Sequence, residues 1–295
     1  MLGKSKTYEP SVPLKRSLGL SIAIPASIVE DTPHLREKTY KIGQIGRASS
    51  IFRVEQIIIY SDKIEQNQTE EANLIASILK YMDTPQYLRK MLVKIDPKLS
   101  FVGILPPLRS PHHLFSKKRE ELKIGMIRQG AVIESKNGYS LVDIGVGKPT
   151  IIEENLTKNQ KITVKLSSIG EKLTAVKLHE SEIRIYWGFN VTVTKLPLAE
   201  STKKIGFDLI ISTSKYGDKI TEVFPQLKIA WKKSKKALVP FGSPTQGLKE
   251  ILTKEGVEMS EYSDFTINMI PNQGVETVRS EEAVFSSLSL LNTLG

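Results

Sequence analysis

The 295-residue chain contains no cysteine. It can therefore form no disulfide, no thiolate nucleophile and no zinc site of the cysteine type. Only 4 histidines are present, and no third metal ligand stands out beside the adjacent pair His112 and His113. We predict on this basis that the protein binds no metal ion.

Long apolar runs are also lacking. The first 15 residues are polar and contain proline, so they lack the apolar core of a secretory signal. No run approaches the length that spans a membrane. The sequence thus predicts a cytoplasmic protein without membrane contact.

Acidic residues are fewer than basic ones, with 32 Asp and Glu against 42 Lys and Arg, which gives a net charge of +10. An excess of cations favours a polyanionic partner such as a nucleic acid, because lysine and arginine neutralise phosphates and release their counterions.

Two apolar runs, at 237–241 and 265–270, each end in a cluster of glycine, proline, serine or asparagine. Helical patterns follow them at 248–254 and 280–291, so we predict two buried strands that end in tight loops on one side of a sheet. Ligands bind outside the carboxyl ends of strands in open α/β sheets. The pattern alone is equally compatible with ordinary strand-to-helix turns.

The first third of the chain alternates between strand and helix patterns, which predicts a parallel sheet. We expect strands at 18–26, 54–60 and 100–105 and helices at 34–51, 70–81 and 86–93. The alternation of strand and helix patterns resumes after a region of short strand-like runs, with strands expected at 190–195 and 207–214. Strands from both parts must then share one sheet.

Between about Lys117 and Arg184 the apolar runs become short and strand-like. Lys136-Asn-Gly138 is a strong signal for a two-residue hairpin turn. Five short strands in this region favour a small antiparallel barrel of the oligonucleotide-binding type over another small β-sandwich. The barrel would be an insertion between two parts of the α/β domain.

The sequences Phe241-Gly-Ser-Pro-Thr-Gln-Gly-Leu248 and Ile270-Pro-Asn-Gln-Gly-Val-Glu-Thr-Val-Arg-Ser-Glu-Glu-Ala283 resemble the cofactor loops of the SPOUT class of RNA methyltransferases. They match the archaeal and eukaryotic branch that carries an inserted RNA-binding barrel. Further matches occur at 21–26, 43–48, 85–89, 110–113 and 186–188, so the resemblance covers nearly the whole chain.

This resemblance implies a trefoil-knotted α/β domain with a parallel sheet, formed by residues 1–116 and 185–295. It also implies an inserted OB-like antiparallel barrel over residues 117–184. By analogy, the protein would be a homodimer that completes each active site across its interface. The reaction would be methylation of RNA by S-adenosylmethionine, in ribosomal RNA and at N3 of a uridine.

The resemblance also assigns the cofactor to the two loops and to the end of a preceding strand. The implied cofactor-binding residues are Ser212, Thr213, Pro240, Phe241, Gly242, Ser243, Gly247, Ile270, Pro271, Asn272, Gln273, Gly274 and Val278. No carboxylate stands out as a base for the reaction. An RNA-binding ribosome-assembly factor that retains the fold without turnover is therefore the alternative.

Arg47, His112 and His113 are the candidate catalytic residues. Arg47 occupies a helical position where many SPOUT enzymes place an arginine that orients the target, although a lone helical arginine is commonly a solvated or salt-bridged side chain. His112 and His113 could transfer protons or contact RNA, or they could pack the junction with the barrel. We expect Ser280 to act as a helix N-cap.

The candidate RNA-binding residues are basic side chains, namely Arg89, Lys117, Lys118, Arg119, Lys232 and Lys233. The lysine run at 231–236 precedes the first cofactor loop, so it would either lie at the entrance of the site or form a solvated face. The carboxyl-terminal helix has a broad apolar face, which we expect to pack partly on its own core and partly on the partner of a homodimer. That face consists of Ala283, Val284, Leu288, Leu291 and Leu294.

Overall fold

The computed structural model describes residues 12–63, 65–113 and 118–295. Its strands are β1 (Gly19–Pro25), β2 (Gln56–Tyr60), β3 (Ile127–Lys136), β4 (Tyr139–Asp143), β5 (Thr150–Ile152), β6 (Lys161–Ile169), β7 (Leu173–Lys177), β8 (Asn190–Val193), β9 (Leu209–Lys219), β10 (Lys236–Pro240) and β11 (Phe265–Asn268). A six-stranded sheet has the order β11-β9-β10-β1-β2-β8, and all its neighbouring strands are parallel.

Helices cover both faces of this sheet. They are α1 (Leu35–Ile51), α2 (Thr69–Asp83), α3 (Gln86–Leu92), α4 (Leu198–Ile205), α5 (Ile220–Lys233), α6 (Leu248–Lys254), α7 (Met259–Tyr262) and α8 (Ser280–Leu291). Ile22 of β1 belongs to a core shared with α1, α2, α5 and α8, whereas the next residue, Ala23, packs with α4 and α6. Burial on both faces explains why these strands are almost continuously apolar.

The strand predicted at 100–105 is wrong. Two short 3-10 helices, Pro97–Leu99 and Val102–Ile104, occupy this part of the chain. Leu105 packs closely on α1, since a Cβ on Gly43 would lie 2.4 Å from its Cδ2 atom. Phe101 and Ile104 of this run are 40% and 38% exposed, and a short apolar run does not by itself distinguish a strand from a helical segment.

The apolar face predicted on α8 is present, but it is used within one subunit. Val284, Leu288 and Leu291 are fully buried and Leu294 is 5% exposed, all in the core beneath the sheet. The expectation that part of this face packs on a partner is therefore wrong for these residues. Phe285 is the large apolar side chain of α8 that remains exposed.

The inserted strands β3 to β7 close into a barrel in the order β3-β4-β5-β7-β6. The neighbouring pairs are antiparallel except for the parallel pair β5 and β7. Asn137 and Gly138 form the predicted hairpin turn with φ angles of 53° and 88°. Because the five strands close on themselves, the alternative of a β-sandwich is excluded. The domain bounds at 117 and 184 stay a prediction.

Asp83, the last residue of α2, joins the barrel to the sheet. Its Oδ1 atom accepts a hydrogen bond from the Phe189 N–H at 3.2 Å and lies 3.1 Å from Nε2 of His112. Its Oδ2 atom lies 2.7 Å from Nζ of Lys161 on the barrel. Burial opposes ionisation of Asp83, but Lys161 and His112 outweigh it and hold the pKa of this carboxyl well below its usual range.

This junction and the loops predicted to bind a ligand lie at opposite ends of the strands: the amino ends form one border of the sheet, here called the amino edge, and the carboxyl ends form the other, the carboxyl edge. Phe189 immediately precedes β8, so Asp83 lies at the amino ends of the strands. The segments after β10 and β11 leave the carboxyl ends. No helix in the described part of the chain combines the length and the apolar character needed to cross a bilayer.

Gly188 tests how tightly this junction is packed. It has a φ of 88°, and a Cβ there would lie 2.1 Å from Oδ1 of Asp83 and 2.5 Å from Cε1 of His112. Gly206 has a φ of 72°, yet no atom lies within 4 Å of its Cβ position.

We predict that Gly188→Ala lowers the free energy of unfolding far more than Gly206→Ala. The second variant bears only the backbone cost of a left-handed alanine, about 1–2 kcal/mol. Urea denaturation measures both losses, and equal losses would show that the surroundings of Asp83 relax without cost.

Candidate functional site

A cavity of about 1000 Å³ opens at the carboxyl ends of β9, β10 and β11. Three segments form its walls: the first loop (241–247), the second loop (269–279) and a bulge in β9 (213–217). The two strand-to-loop segments predicted from the sequence thus meet at one site. Helix α8 adds Ser280, Ala283 and Ser287 to the wall.

The first loop is a tight turn held by its own polar groups. The Ser243 N–H donates to the carbonyl of Gln246 at 2.9 Å, and the Gln246 N–H donates to Oγ of Ser243 at 2.9 Å. A Cβ on Gly242 would lie 2.7 Å from the carbonyl oxygen of Gln246, so only glycine fits there without a shift of the backbone. The buried Tyr60 hydroxyl donates to the carbonyl of Phe241 at 2.7 Å and fixes the start of the loop.

The bulge arises from a shift in register between β9 and β11. Thr266 lies opposite Ser212, whereas the next residue, Ile267, lies opposite Asp218, so residues 213–217 leave the ladder. A Cβ on Gly217 would lie 2.5 Å from the carbonyl oxygen of Thr266, which requires glycine at this approach. The register shift and the close approach at Gly217 thus place residues 213–217 in the wall of the cavity.

Hydrogen bonds connect the bulge to the second loop. The Asn268 side chain donates to the carbonyl of Lys215 at 2.9 Å, and Nζ of Lys215 donates to the carbonyl of Glu276 at 3.1 Å. Within the second loop, the Gln273 side chain donates to the carbonyls of Val275 and Glu276 at 2.8 and 2.9 Å. These bonds fix two walls of the cavity relative to each other.

Most of the predicted cofactor-binding residues are brought together by this arrangement. Those that line the cavity are Thr213, Phe241, Gly242, Ser243, Gly247, Ile270, Gln273 and Val278. Others lie beneath it: Ser212 is buried against Ser263, and the carbonyl of Pro240 accepts a hydrogen bond from Thr213 at 3.1 Å. Pro271, Asn272 and Gly274 belong to the second loop outside the lining set.

The cavity fits a ligand of the size and polarity of S-adenosylmethionine. Pockets for ligands of this size measure roughly 300–1,000 Å³. Gly247 presents open backbone, since no atom lies within 4 Å of its Cβ position. The buried Oε1 atom of Gln246 has no hydrogen-bond partner among the described residues, and thus provides an acceptor for a ligand.

His112 and His113 lie at the amino edge of the sheet, away from the cavity. Their Nε2 atoms lie 2.9 and 3.0 Å from the main-chain carbonyl of Asp83. Both side chains are buried, and their rings pack edge to face at 4.3 Å. These contacts are those of a packed junction, and the structure does not bring either histidine to the cavity of its own chain.

Arg47 is likewise remote from the cavity of its own chain. It lies near the end of α1, which runs from the carboxyl edge of the sheet towards the amino edge. Its Nη1 atom donates to the carbonyls of Pro107 and Leu108 at 3.2 and 2.6 Å. Arg47 occupies the same face of α1 as the exposed Tyr40 and Ile51.

The predicted RNA-binding residues do not form one surface. The Arg89 guanidinium stacks on Tyr81 at 4.1 Å, and Arg119 donates to the carbonyls of Gly170 and Glu171 on the barrel. Lys232 and Lys233 end α5 at the amino edge, opposite the entrance of the cavity, and both are exposed, so of the two alternatives the structure shows the solvated face. Lys118 is exposed, and Lys117 lies outside the described residues.

Several residues of the cavity were not predicted from the sequence. Lys215 and Tyr216 lie on the bulge, and Tyr216 is 92% exposed. Glu250, Glu258 and Glu276 also line the cavity. Ser280 is not the N-cap of α8, which is Arg279; it is buried and lines the cavity instead.

Fold and site together define an α/β protein with a ligand cavity at the carboxyl edge of its sheet and an inserted barrel. In the described part of the chain, no three or more His, Asp or Glu side chains are placed to hold a metal ion.

Comparison with known proteins gives the family. Residues 19–291 match the family described as "Putative RNA methyltransferase". The chain is 31% identical to the mouse and human proteins named 28S rRNA (uridine-N(3))-methyltransferase, over 94% of this chain and 76% and 78% of theirs. It is 30% identical to an uncharacterized protein of Haloarcula marismortui, over 92% of this chain and 98% of that protein.

A solved structure, the SpoU methyltransferase AviRb from Streptomyces viridochromogenes, aligns with 96% of this chain and 61% of that chain. The alignment has 10% identity and a TM-score of 0.35.

The chain belongs to this family of RNA methyltransferases. Membership confirms the resemblance drawn from the loop motifs and favours the enzyme over the non-catalytic assembly factor.

The junction histidines lead to a prediction about pH. Burial and the neighbouring His112 lower the pKa of His113 to about 4, whereas the histidine of an unfolded chain has a pKa of about 6.5. Between these values the unfolded chain binds a proton that the folded protein does not. We therefore predict that the free energy of unfolding decreases as the pH falls from about 6.5 to about 4.

His113→Gln removes this titration and keeps a donor for the carbonyl of Asp83. Its unfolding free energy should change less over this range, by up to about 3 kcal/mol. Urea denaturation at several pH values measures the difference. The exposed His34, changed to Gln, should leave the wild-type dependence intact. A His113→Gln protein with the same pH dependence as wild type would contradict the prediction.

Proposed function

We propose that the protein transfers a methyl group from S-adenosylmethionine to N3 of a uridine in large-subunit ribosomal RNA. Family membership supports RNA as the substrate, and the printed activity of the mouse and human relatives supports the base and the atom. The observation on this chain that carries the proposal is the cavity at the carboxyl edge, because its walls are the two glycine-rich loops.

The residues of the cavity would act mainly by positioning. Main-chain groups of the first and second loops would hold the adenosine part of the cofactor, and Thr213 would contact it from the bulge. The cofactor supplies an electrophilic methyl group, so no metal is required. The proton on uridine N3 must leave, and Glu250, Glu258 and Glu276, which line the cavity, are better candidates to accept it than His112 and His113, which are buried at the junction.

The barrel would capture the RNA. Its five strands, with β5 parallel to β7, support an oligonucleotide-binding type of barrel. Exposed lysines on it, including Lys123, Lys136 and Lys158, would attract phosphates. At the cavity, the exposed ring of Tyr216 is positioned to stack on an unpaired base next to the target.

The protein would act as a homodimer. Tyr40 and Ile51 of α1 are 53% and 43% exposed, and Phe285 of α8 is 36% exposed. Helices α1 and α8 pack against each other, so these side chains extend over adjoining surfaces. A partner on this face would also meet Arg47, and we propose that Arg47 acts on the RNA held at the partner's cavity.

An activity assay tests the proposed reaction. The protein is incubated with S-adenosylmethionine and a transcript of large-subunit ribosomal RNA, and nucleoside mass spectrometry measures 3-methyluridine. Gly242→Val should reduce cofactor binding and methylation by at least ~100-fold, because it displaces the backbone of the first loop. Gly103→Val, where no atom lies within 4 Å of the Cβ position, is the matched control.

The possible outcomes separate the alternatives. Cofactor binding without methylation of any nucleoside would favour the assembly factor. Methylation of another atom or base would refute the N3 assignment. Normal cofactor binding by Gly242→Val would remove the first loop from the site.

Mixed dimers test the role of Arg47. Arg47→Ala and Gly242→Val are each predicted to be inactive, and the two proteins are mixed under conditions that exchange subunits. If Arg47 serves the partner's cavity, each mixed dimer has one complete site, and equal mixing restores about a quarter of wild-type activity. If Arg47 serves its own cavity, or the protein is a monomer by light scattering, no activity returns and the proposal fails.

A further inference from the structure

A second cavity, of about 260 Å³, lies at the amino edge of the sheet between the barrel and the methyltransferase domain. Gln129 and Thr163 line it from the barrel, and Glu55 and Trp187 line it from the other side. Its volume is that of about nine water molecules in the liquid, too large for a single structural water. It is smaller than the roughly 300–1,000 Å³ typical of larger ligands.

Each lysine that lines this junction cavity is paired with a carboxylate. Lys161 pairs with Asp83 at 2.7 Å, Lys15 with Glu55 at 3.4 Å and Lys177 with Glu154 at 3.0 Å. The remaining carboxylate, Glu180, accepts a hydrogen bond from the Asn190 side chain at 3.2 Å. Because the lysines are already paired, the site suits a neutral ligand that brings hydrogen-bond donors better than it suits a phosphate.

Two acceptors at the junction cavity lack partners. Gln129 is 4% exposed, and its Oε1 atom is buried without a hydrogen-bond partner among the described residues. The Oε1 atom of Glu55 is likewise buried without a hydrogen-bond partner among the described residues. A buried polar atom that makes no hydrogen bond destabilises the protein, so both atoms favour a ligand that brings donors. Trp187 adds an aromatic wall, with its indole N–H donating to Oγ1 of Thr163 at 3.1 Å.

We propose that the junction cavity binds one unpaired nucleobase of the RNA substrate, of the kind that carries an exocyclic amino group. The proposal rests on the proposed function, since it assumes that RNA is the substrate. Proteins recognise single-stranded RNA by stacking splayed bases on aromatic rings and by hydrogen-bonding their edges. The amino groups of adenine, cytosine and guanine provide the donors that Gln129 and Glu55 lack, whereas uracil offers one ring N–H between two acceptors.

The position of the junction cavity gives the base a function distinct from that of the target. The strands of the sheet separate it from the methyl-transfer cavity by about 20 Å or more. A base held there would anchor the RNA at a fixed distance from the target uridine. The junction would thus help to select the nucleotide that reaches the other cavity.

The test compares Gln129→Met with Gln66→Met in the full-length protein. Methionine preserves the shape of Gln129 and removes its unpaired acceptor, so the variant should be at least as stable as wild type in urea. Fluorescent hexanucleotides of adenosine or cytidine should bind about tenfold more weakly to it, and the uridine hexanucleotide should be unaffected. Gln66 is exposed and remote, so Gln66→Met should change neither property.

A photo-crosslink keeps the test decisive if Gln129→Met fails to fold. A 5-iodocytidine hexanucleotide bound to the wild-type protein should crosslink to the peptide that contains Trp187. Unchanged adenosine and cytidine binding by a folded Gln129→Met, equal weakening for uridine, or crosslinks confined to other peptides would each overturn the proposal and leave a cavity that holds water only. Methyl transfer to a uridine is measured separately, so failure here leaves the proposed reaction intact.

Discussion

The arrangement of the two domains depends on one buried carboxylate. Asp83 is 4% exposed, and the cost of removing an ionised group from water amounts to several kcal/mol unless partners compensate it. Its partners come from three parts of the chain: His112 before the barrel, Lys161 within it and the Phe189 N–H after it. Because each partner is needed to keep the charge buried, the entry, body and exit of the insertion are fixed together.

This constraint places the barrel, which we propose to bind RNA, away from the cavity that we propose to hold the cofactor. The barrel is fixed at the amino edge of the sheet near β2 and β8, whereas the cavity lies at the carboxyl edge near β9, β10 and β11. An RNA that contacts both must extend across the sheet or reach the cavity of a second subunit. The dimer proposed here and the junction cavity are two ways in which the same geometry would position a substrate much larger than the active site.

Local patterns predicted much of the fold. The helices at 248–254 and 280–291 have the expected bounds, and the hairpin at Asn137 and Gly138 follows from turn chemistry. The loops resembling cofactor loops do meet at one cavity, because carboxyl ends of parallel strands share an edge.

Features that depend on distant contacts were not predictable in this way. In the sequence, Asp83 is one acidic residue at the end of a predicted helix, and nothing near it indicates burial. Its role in joining the two domains becomes visible only from its burial beneath the barrel. The bulge that presents Tyr216 depends on a register shift between strands separated by a crossover. The lysines of α5 precede the first loop in sequence, but β10 crosses the whole sheet between them, so proximity along the chain did not mean proximity in space.

The cavity is shaped by the backbone before any ligand binds. Gly217 and Gly242 allow main-chain approaches that a Cβ would block, and the hydrogen bonds of Lys215 and Asn268 tie the bulge to neighbouring segments. A loop that is already ordered loses little conformational entropy on binding, so more of the contact energy remains as affinity. Methyl transfer gains from the same rigidity, since it requires close alignment of the two reacting atoms. The irregular part of β9 thus contributes to the site because hydrogen bonds to Glu276 and Asn268 hold it against the neighbouring segments.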